Sequence, residues 1–158
     1  MSIIFDYSYR PGGYCSVRGH KAVFSELLTP HTLTLCPSVF TDTRTLADIT
    51  ITPLASTRIS SRDPSQIPTD AQRLSSVLPA STTLFHELFH LVLGNDNSYP
   101  NTGHEIYEPI RMSKMSVANA LRNPETFAAM AVAYYYTVNK PVVDGNRVEF
   151  YAFFATRA

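Results

Sequence analysis

The chain has 158 residues, 44% of them hydrophobic, and its thirteen basic residues balance thirteen acidic ones. That is the size of one ordinary domain with enough apolar material for a core. With no Lys/Arg block, the balance excludes the electrostatic signature of a nucleic-acid or anionic-membrane partner and leaves a peptide or small molecule as the expected substrate.

The apolar stretches are far too short for a membrane span, and the opening MSIIFDYSYRPGGY lacks a basic region followed by a long apolar core. No signal peptide is therefore expected. The chain reads as intracellular if complete and as secreted if it is a mature fragment. The sequence carries no signal for oligomeric state.

Along the chain, residues 2–9 alternate loosely as a strand, Pro11-Gly12-Gly13 breaks it, and 32–35 is β-prone before Pro37. Cys15 and Cys36 are too few for a disulfide framework and are not spaced as a metal pair. One disulfide and two buried thiols are both open. Residues 46–54 continue the β character. The Ser-, Thr- and Pro-rich stretch 55–79 suits a surface loop, the expected mobile element, with at most a short helix at 71–77.

Residues 81–94, STTLFHELFHLVLG, have a small hydroxyl at the start, leucines 84, 88 and 91 at helical spacing, and a glycine at the end. The spacing predicts a helix. Apolar residues run nearly all round it, so it is expected to lie buried in the middle of the domain. A shorter helix is predicted over 110–121. Asn123-Pro124-Glu125 reads as an N-cap and first turn, opening a helix over 125–138. Asp144-Gly145 suggests a turn, and the pattern does not type 148–154 as strand or helix.

The chemistry lies in HELFH, residues 86–90. Histidines four apart on a helix share a face and can bind one ion, and Glu87 beside the first can reach a water on that ion. Zinc hydrolases work this way: the ion polarises a carbonyl and lowers the water's pKa toward about 7, and the glutamate acts as general base. The competing explanation is a buried helix whose histidines only hydrogen-bond. Zn2+ is inferred from imidazole ligands, and nickel, cobalt or copper suit the same nitrogens. The third ligand is open among Asp96, His104, Glu105, Glu108 and Glu125, which spacing does not rank. His20 and His31 have no useful spacing and read as surface residues.

From residue 84 onward the chain resembles the deuterolysin family of fungal zinc endopeptidases, the aspzincins. Their HExxH is followed by Gly-Thr-x-Asp-x-x-Tyr-Gly, whose aspartate is the third ligand, and then by a helix opening Asn-Ala-Asp-Ser-Tyr. Here Tyr99-Pro100-Asn101-Thr102-Gly103-His104-Glu105-Ile106-Tyr107-Glu108 lies over the first stretch and Asn123-Pro124-Glu125-Thr126-Phe127 over the second, with Thr102, Tyr107 and Asn123 in place. Thr32-Leu33-Thr34-Leu35-Cys36-Pro37 is similar to the strand before the family's catalytic helix, so the resemblance spans 32–136.

Several positions depart from the family. His104 stands where the family has aspartate, Glu108 replaces the closing glycine, the loop after His90 is longer, and the tail beyond Asn139 has no counterpart. The resemblance implies a His86, His90 and His104 site without a ligand carboxylate, hence a stronger Lewis acid, unless Glu105 restores the charge as ligand or as a ligand's partner. It also implies that Tyr107 stabilises the oxyanion, against a plain packing role. Glu125 is either a distant glutamate ligand or a first-turn acid favouring the helix dipole.

These readings combine into an α+β, zincin-like single domain over 1–158, with a small N-terminal sheet, a helical C-terminal half and the motif helix at the centre. The expected function is a zinc metalloendopeptidase, with Glu87 and Tyr107 as catalytic residues and His86, His90 and His104 as metal ligands. The alternatives are a zinc enzyme acting on a small molecule in a biosynthetic pathway, and an inactive scaffold used as a binding module.

Overall fold

The computed structural model describes residues 2–5, 13–25, 31–41, 58–100, 103–139, 142–143 and 145–158. The expected β run at 46–54, the Pro11-Gly12 break, Thr102 and Asp144 lie outside them. The described residues form a mixed α+β structure with two small sheets.

In the first sheet, β1 (Ser2–Phe5) runs parallel to β3 (Thr32–Leu35), and β2 (Ala22–Ser25) pairs with β3 antiparallel, Ala22 opposite Leu35 and Ser25 opposite Thr32. β2 is therefore an edge among the described strands. Ala22, Leu33 and Leu35 form a small apolar cluster. A 3₁₀ turn at Tyr14–Ser16 precedes β2, and Cys15 is disulfide-bonded to Cys36 at the end of β3 across a Cα–Cα distance of 5.3 Å. Closing that loop of about 20 residues stabilises the fold by about 3 kcal/mol in the chain-entropy account.

Helix α1 (Ser81–Leu93) carries the motif, as its periodicity predicts. No side chain caps its start. Ala80 holds the N-cap position, and Thr82 donates instead to the Pro79 carbonyl. Gly94 ends it at φ 74° and ψ 158°, a conformation that glycine adopts without a Cβ clash, and its N–H donates to His90 O at 2.8 Å.

The expectation of an all-round buried helix is corrected. His86, Glu87 and His90 are the buried residues of α1, whereas Val92 is 77% exposed and Phe85 and Leu93 are also on the surface. Leu84 meets the β2–β3 cluster, and Phe89 stacks on Phe127 of α5 (Pro124–Asn139) with ring centroids 4.5 Å apart. The polar face turns inward because acids from two other segments satisfy it there.

Between α1 and α5 lie α2 (Asn95–Ser98), α3 (Pro109–Ser113) and α4 (Val117–Ala120). The helix predicted over 110–121 is thus two helices, because the Ser116 hydroxyl accepts from Asn119 N–H and caps a new start. Segment 148–154 belongs to a second antiparallel sheet of β4 (Val142–Val143), β5 (Asn146–Tyr151) and β6 (Phe154–Arg157).

The main core lies between that sheet and α5. Ala129, Val132 and Tyr136 recur at helical spacing and pack on Val148 and Ala155, with Leu74 and Val77 from the 3₁₀ turn Leu74–Val77. The described part of the expected loop, 58–79, is docked on this sheet: Leu74 N–H donates to Phe153 O at 2.9 Å and Ile59 N–H to Thr156 Oγ1 at 2.8 Å. No helix among the described residues is long and apolar enough to cross a membrane.

Candidate metal and catalytic site

The four-residue spacing brings the His86 and His90 rings to 5.3 Å between centroids on one face of α1. The third residue comes from the segment after α2. Glu105 sets its carboxylate between the rings, Oε2 at 3.2 Å from His86 Nε2 and Oε1 at 2.5 Å from His90 Nε2. His86, His90 and Glu105 form a group that could hold a metal ion, with donor atoms within 4.8 Å of one another.

His104, placed third by the resemblance, is exposed on the wall of the adjoining cleft and lies outside this group. His104 and Glu105 line the same cleft, and it is the Glu105 carboxylate that reaches both histidine rings. Glu108 is also outside it, since its carboxylate caps α3 by accepting from the N–H groups of Ile110 and Arg111.

The donor set fits a tetrahedral ion. Ser98 Oγ gives its one proton to Gly94 O at 2.8 Å, so the 2.7 Å contact with His90 Nδ1 requires the proton on that nitrogen. Glu125 Oε2 lies 3.3 Å from His86 Nδ1 and accepts a hydrogen bond from its N–H. Both rings in their neutral form therefore present Nε2 lone pairs, the arrangement in which outer partners orient metal-binding histidines. At bond lengths near 2.0–2.1 Å, tetrahedral ligand atoms sit about 3.3 Å apart. The His86–Glu105 separation already matches, and the His90–Glu105 contact would open slightly.

The segment carrying Glu105 is held by a residue expected only as a helix cap. Asn123 is fully buried. Its Oδ1 accepts from Ile106 N–H at 2.9 Å, and its Nδ2 donates to Ile106 O at 3.0 Å and Thr126 Oγ1 at 2.9 Å. Asn123→Ala would orphan the Ile106 N–H and C=O, each costing about 1–3 kcal/mol. A loss of about 3 kcal/mol in unfolding free energy is expected in urea melts, together with weaker metal binding. Wild-type stability in the variant would refute the clamp.

No family model, curated protein or solved structure matches this chain. The site must be read from its own geometry.

Its electrostatics follow from three carboxylic acids, Glu87, Glu105 and Glu125, around two imidazoles. Desolvation opposes a charge on His86, but hydrogen bonds to Glu105 and Glu125 and the charges of Glu105 and Glu87 outweigh it and hold its pKa up at about 10. Burial works against a charged Glu105 too, and the two histidines and the Tyr107 hydroxyl overcome it, pulling its pKa down to about 2. Glu87 is buried and its pKa is raised, chiefly by desolvation. The histidine charges and a hydrogen bond from the Phe24 backbone oppose that shift. A carboxylate pushed upward is suited to taking and returning a proton near neutral pH.

With metal chelated, the His86–Glu105 pair predicts a stability profile. The His86 contribution is complete below 6.5 and is lost as pH rises through about 10; that of Glu105 is complete above 4.5 and is lost as pH falls through about 2. Melting temperatures in EDTA should therefore plateau between 4.5 and 6.5 and fall on both sides. Metal affinity should instead climb from pH 6.5 upward, because binding expels the His86 proton. A flat affinity across that range would contradict the pairing.

Tyr107 is 58% exposed, its ring stacks near His86 at 6.1 Å, and its hydroxyl donates to Glu105 Oε2. Desolvation and the Glu105 carboxylate raise its pKa, so it stays a donor. Two clefts meet at His86 and Glu87. One, of about 670 Å³, runs past Pro79, Thr83 and Glu125, and the other, of about 580 Å³, runs past Phe24, Tyr99 and Glu105. Tyr14, which no motif marks, lines both. His20, expected to be a surface residue, lines the first beneath Tyr14, while His31 is exposed.

Proposed function

We propose that the protein is a zinc metallopeptidase of zincin-like architecture, with His86, His90 and Glu105 as ligands. The observation that carries the reading is the burial of Glu87 in α1 beside two histidines whose Nδ1 atoms are committed elsewhere, His90 to Ser98 and His86 to Glu125, so that both Nε2 atoms converge on the Glu105 carboxylate, where an ion would sit. A zinc ion bound there supplies Lewis acidity toward a carbonyl and acidifies water.

The chain's own residues do the rest. Glu87 accepts the proton of the attacking water and delivers it to the departing amine nitrogen. Tyr107 and Glu125 hold Glu105 and His86 in place, so the ligands do not have to reorganise during the reaction.

The peptide preference rests on β2. It is an edge among the described strands, it carries Ala22 and Phe24 along the clefts, and its backbone already hydrogen-bonds Glu87. An extended peptide adding to such an edge lies across both clefts, with its scissile carbonyl over the histidines. Cleavage of denatured casein by the zinc-loaded protein, abolished by Glu87→Gln, is the test. An inert wild type with tightly bound metal would sink the peptidase reading.

A further inference from the structure

Hydrolysis at this site needs a donor for the carbonyl oxygen as it becomes negative. Tyr107 is poorly placed for that task, because its hydroxyl is committed to Glu105. Five residues line both clefts: Tyr14, Ala22, His86, Glu87 and Tyr107. Tyr14 and Tyr107 are the two hydroxyls among them, and they come from different segments.

Tyr14 is held at three points. Its ring stacks on His20 with centroids 4.1 Å apart at 29°, and its carbonyl accepts from His20 Nδ1 at 2.9 Å. The next residue, Cys15, is tied by the disulfide to Cys36 at the end of β3. These contacts set an aromatic side chain, 43% exposed, where the two clefts join. Its pKa is raised by burial and then by the charges of Glu87 and Glu105, with which it shares a cleft.

We propose that Tyr14 is a catalytic residue, whose hydroxyl donates a hydrogen bond to the scissile carbonyl oxygen where the two clefts meet. The assignment rests on the metallopeptidase reading. As the water oxygen bonds to the carbonyl carbon, the C=O π pair moves onto oxygen and is held by the Tyr14 O–H, with no proton leaving the phenol. The C–N bond then breaks, the carbonyl reforms, and the nitrogen takes the proton that Glu87 carried.

The experiment compares wild type, Tyr14→Phe and Tyr107→Phe, each metal-loaded. Three readouts are used: metal retention against a chelator, kcat and KM on denatured casein, and binding of inorganic phosphate to the Co2+-substituted protein by its visible spectrum. Phosphate offers tetrahedral oxyanions without requiring turnover. Tyr14→Phe keeps the ring and its stack on His20, so it should hold metal as tightly as wild type and leave KM within about 2-fold. Its kcat should fall about 10²–10³-fold, the loss typical of one oxyanion donor, and phosphate should bind at least about 10-fold more weakly. Tyr107→Phe should weaken metal retention instead.

Wild-type kcat and phosphate affinity in Tyr14→Phe would overturn the proposal. If wild type cleaves nothing, the peptidase reading fails, and phosphate binding alone decides the placement of Tyr14: a loss in the variant supports it and an unchanged affinity overturns it.

Discussion

Replacing Glu105 with alanine should lower zinc affinity by more than about 100-fold, beyond the 10–100-fold range of outer partners. His104→Ala, one residue away, should leave affinity unchanged. The contrast follows from geometry. The Glu105 carboxylate reaches both Nε2 atoms, at 3.2 and 2.5 Å, whereas His104 is on the surface. Two further variants grade the series. Glu125→Gln and Ser98→Ala each remove an orienting partner of one histidine and should weaken binding by about 10–100-fold without abolishing it. Competition with a chromophoric chelator at fixed pH reads all four. A loss of metal in His104→Ala with retention in Glu105→Ala would restore the three-histidine arrangement.

The distinction between His104 and Glu105 shows where the sequence stops being legible. HELFH on a helix was readable because spacing, apolar surroundings and the closing Gly94 agree. The residue that joins the two histidines was not, since the choice between adjacent residues depends on how Asn123 grips Ile106 from seventeen positions away. Alignment with the family pattern put His104 in register, but register along a loop does not say which side chain faces inward.

The same limit explains the burial of α1. An apolar count around the helix gave no sign that Glu105 and Glu125 would satisfy its polar face, or that Phe85 and Val92 would be left outside. Ser98 and Tyr14 sit in segments without a periodic pattern, and only the folded geometry brings them to the histidines. In the tail, the turn between β5 and β6 uses Ala152 and Phe153 at φ 50° and 64°, where glycine or asparagine would have announced a hairpin.

Glu87→Gln should abolish peptide cleavage while leaving the metal in place. The amide keeps the size of the side chain and retains an oxygen to accept from the Phe24 backbone, so β2 and α1 stay docked. What it loses is the ability to take a proton, a role worth about 10²–10⁴-fold in rate. Because burial raises the Glu87 pKa, the acidic limb of wild-type kcat/KM should fall at a higher pH than an ordinary carboxylate would give. Metal content measured beside activity separates the outcomes. Lost cleavage with full metal assigns Glu87 as the base, while lost cleavage with lost metal shows a collapsed site. Residual cleavage near the wild-type rate would move the base elsewhere, and with it the reason for burying a glutamate between two histidines at the junction of the clefts.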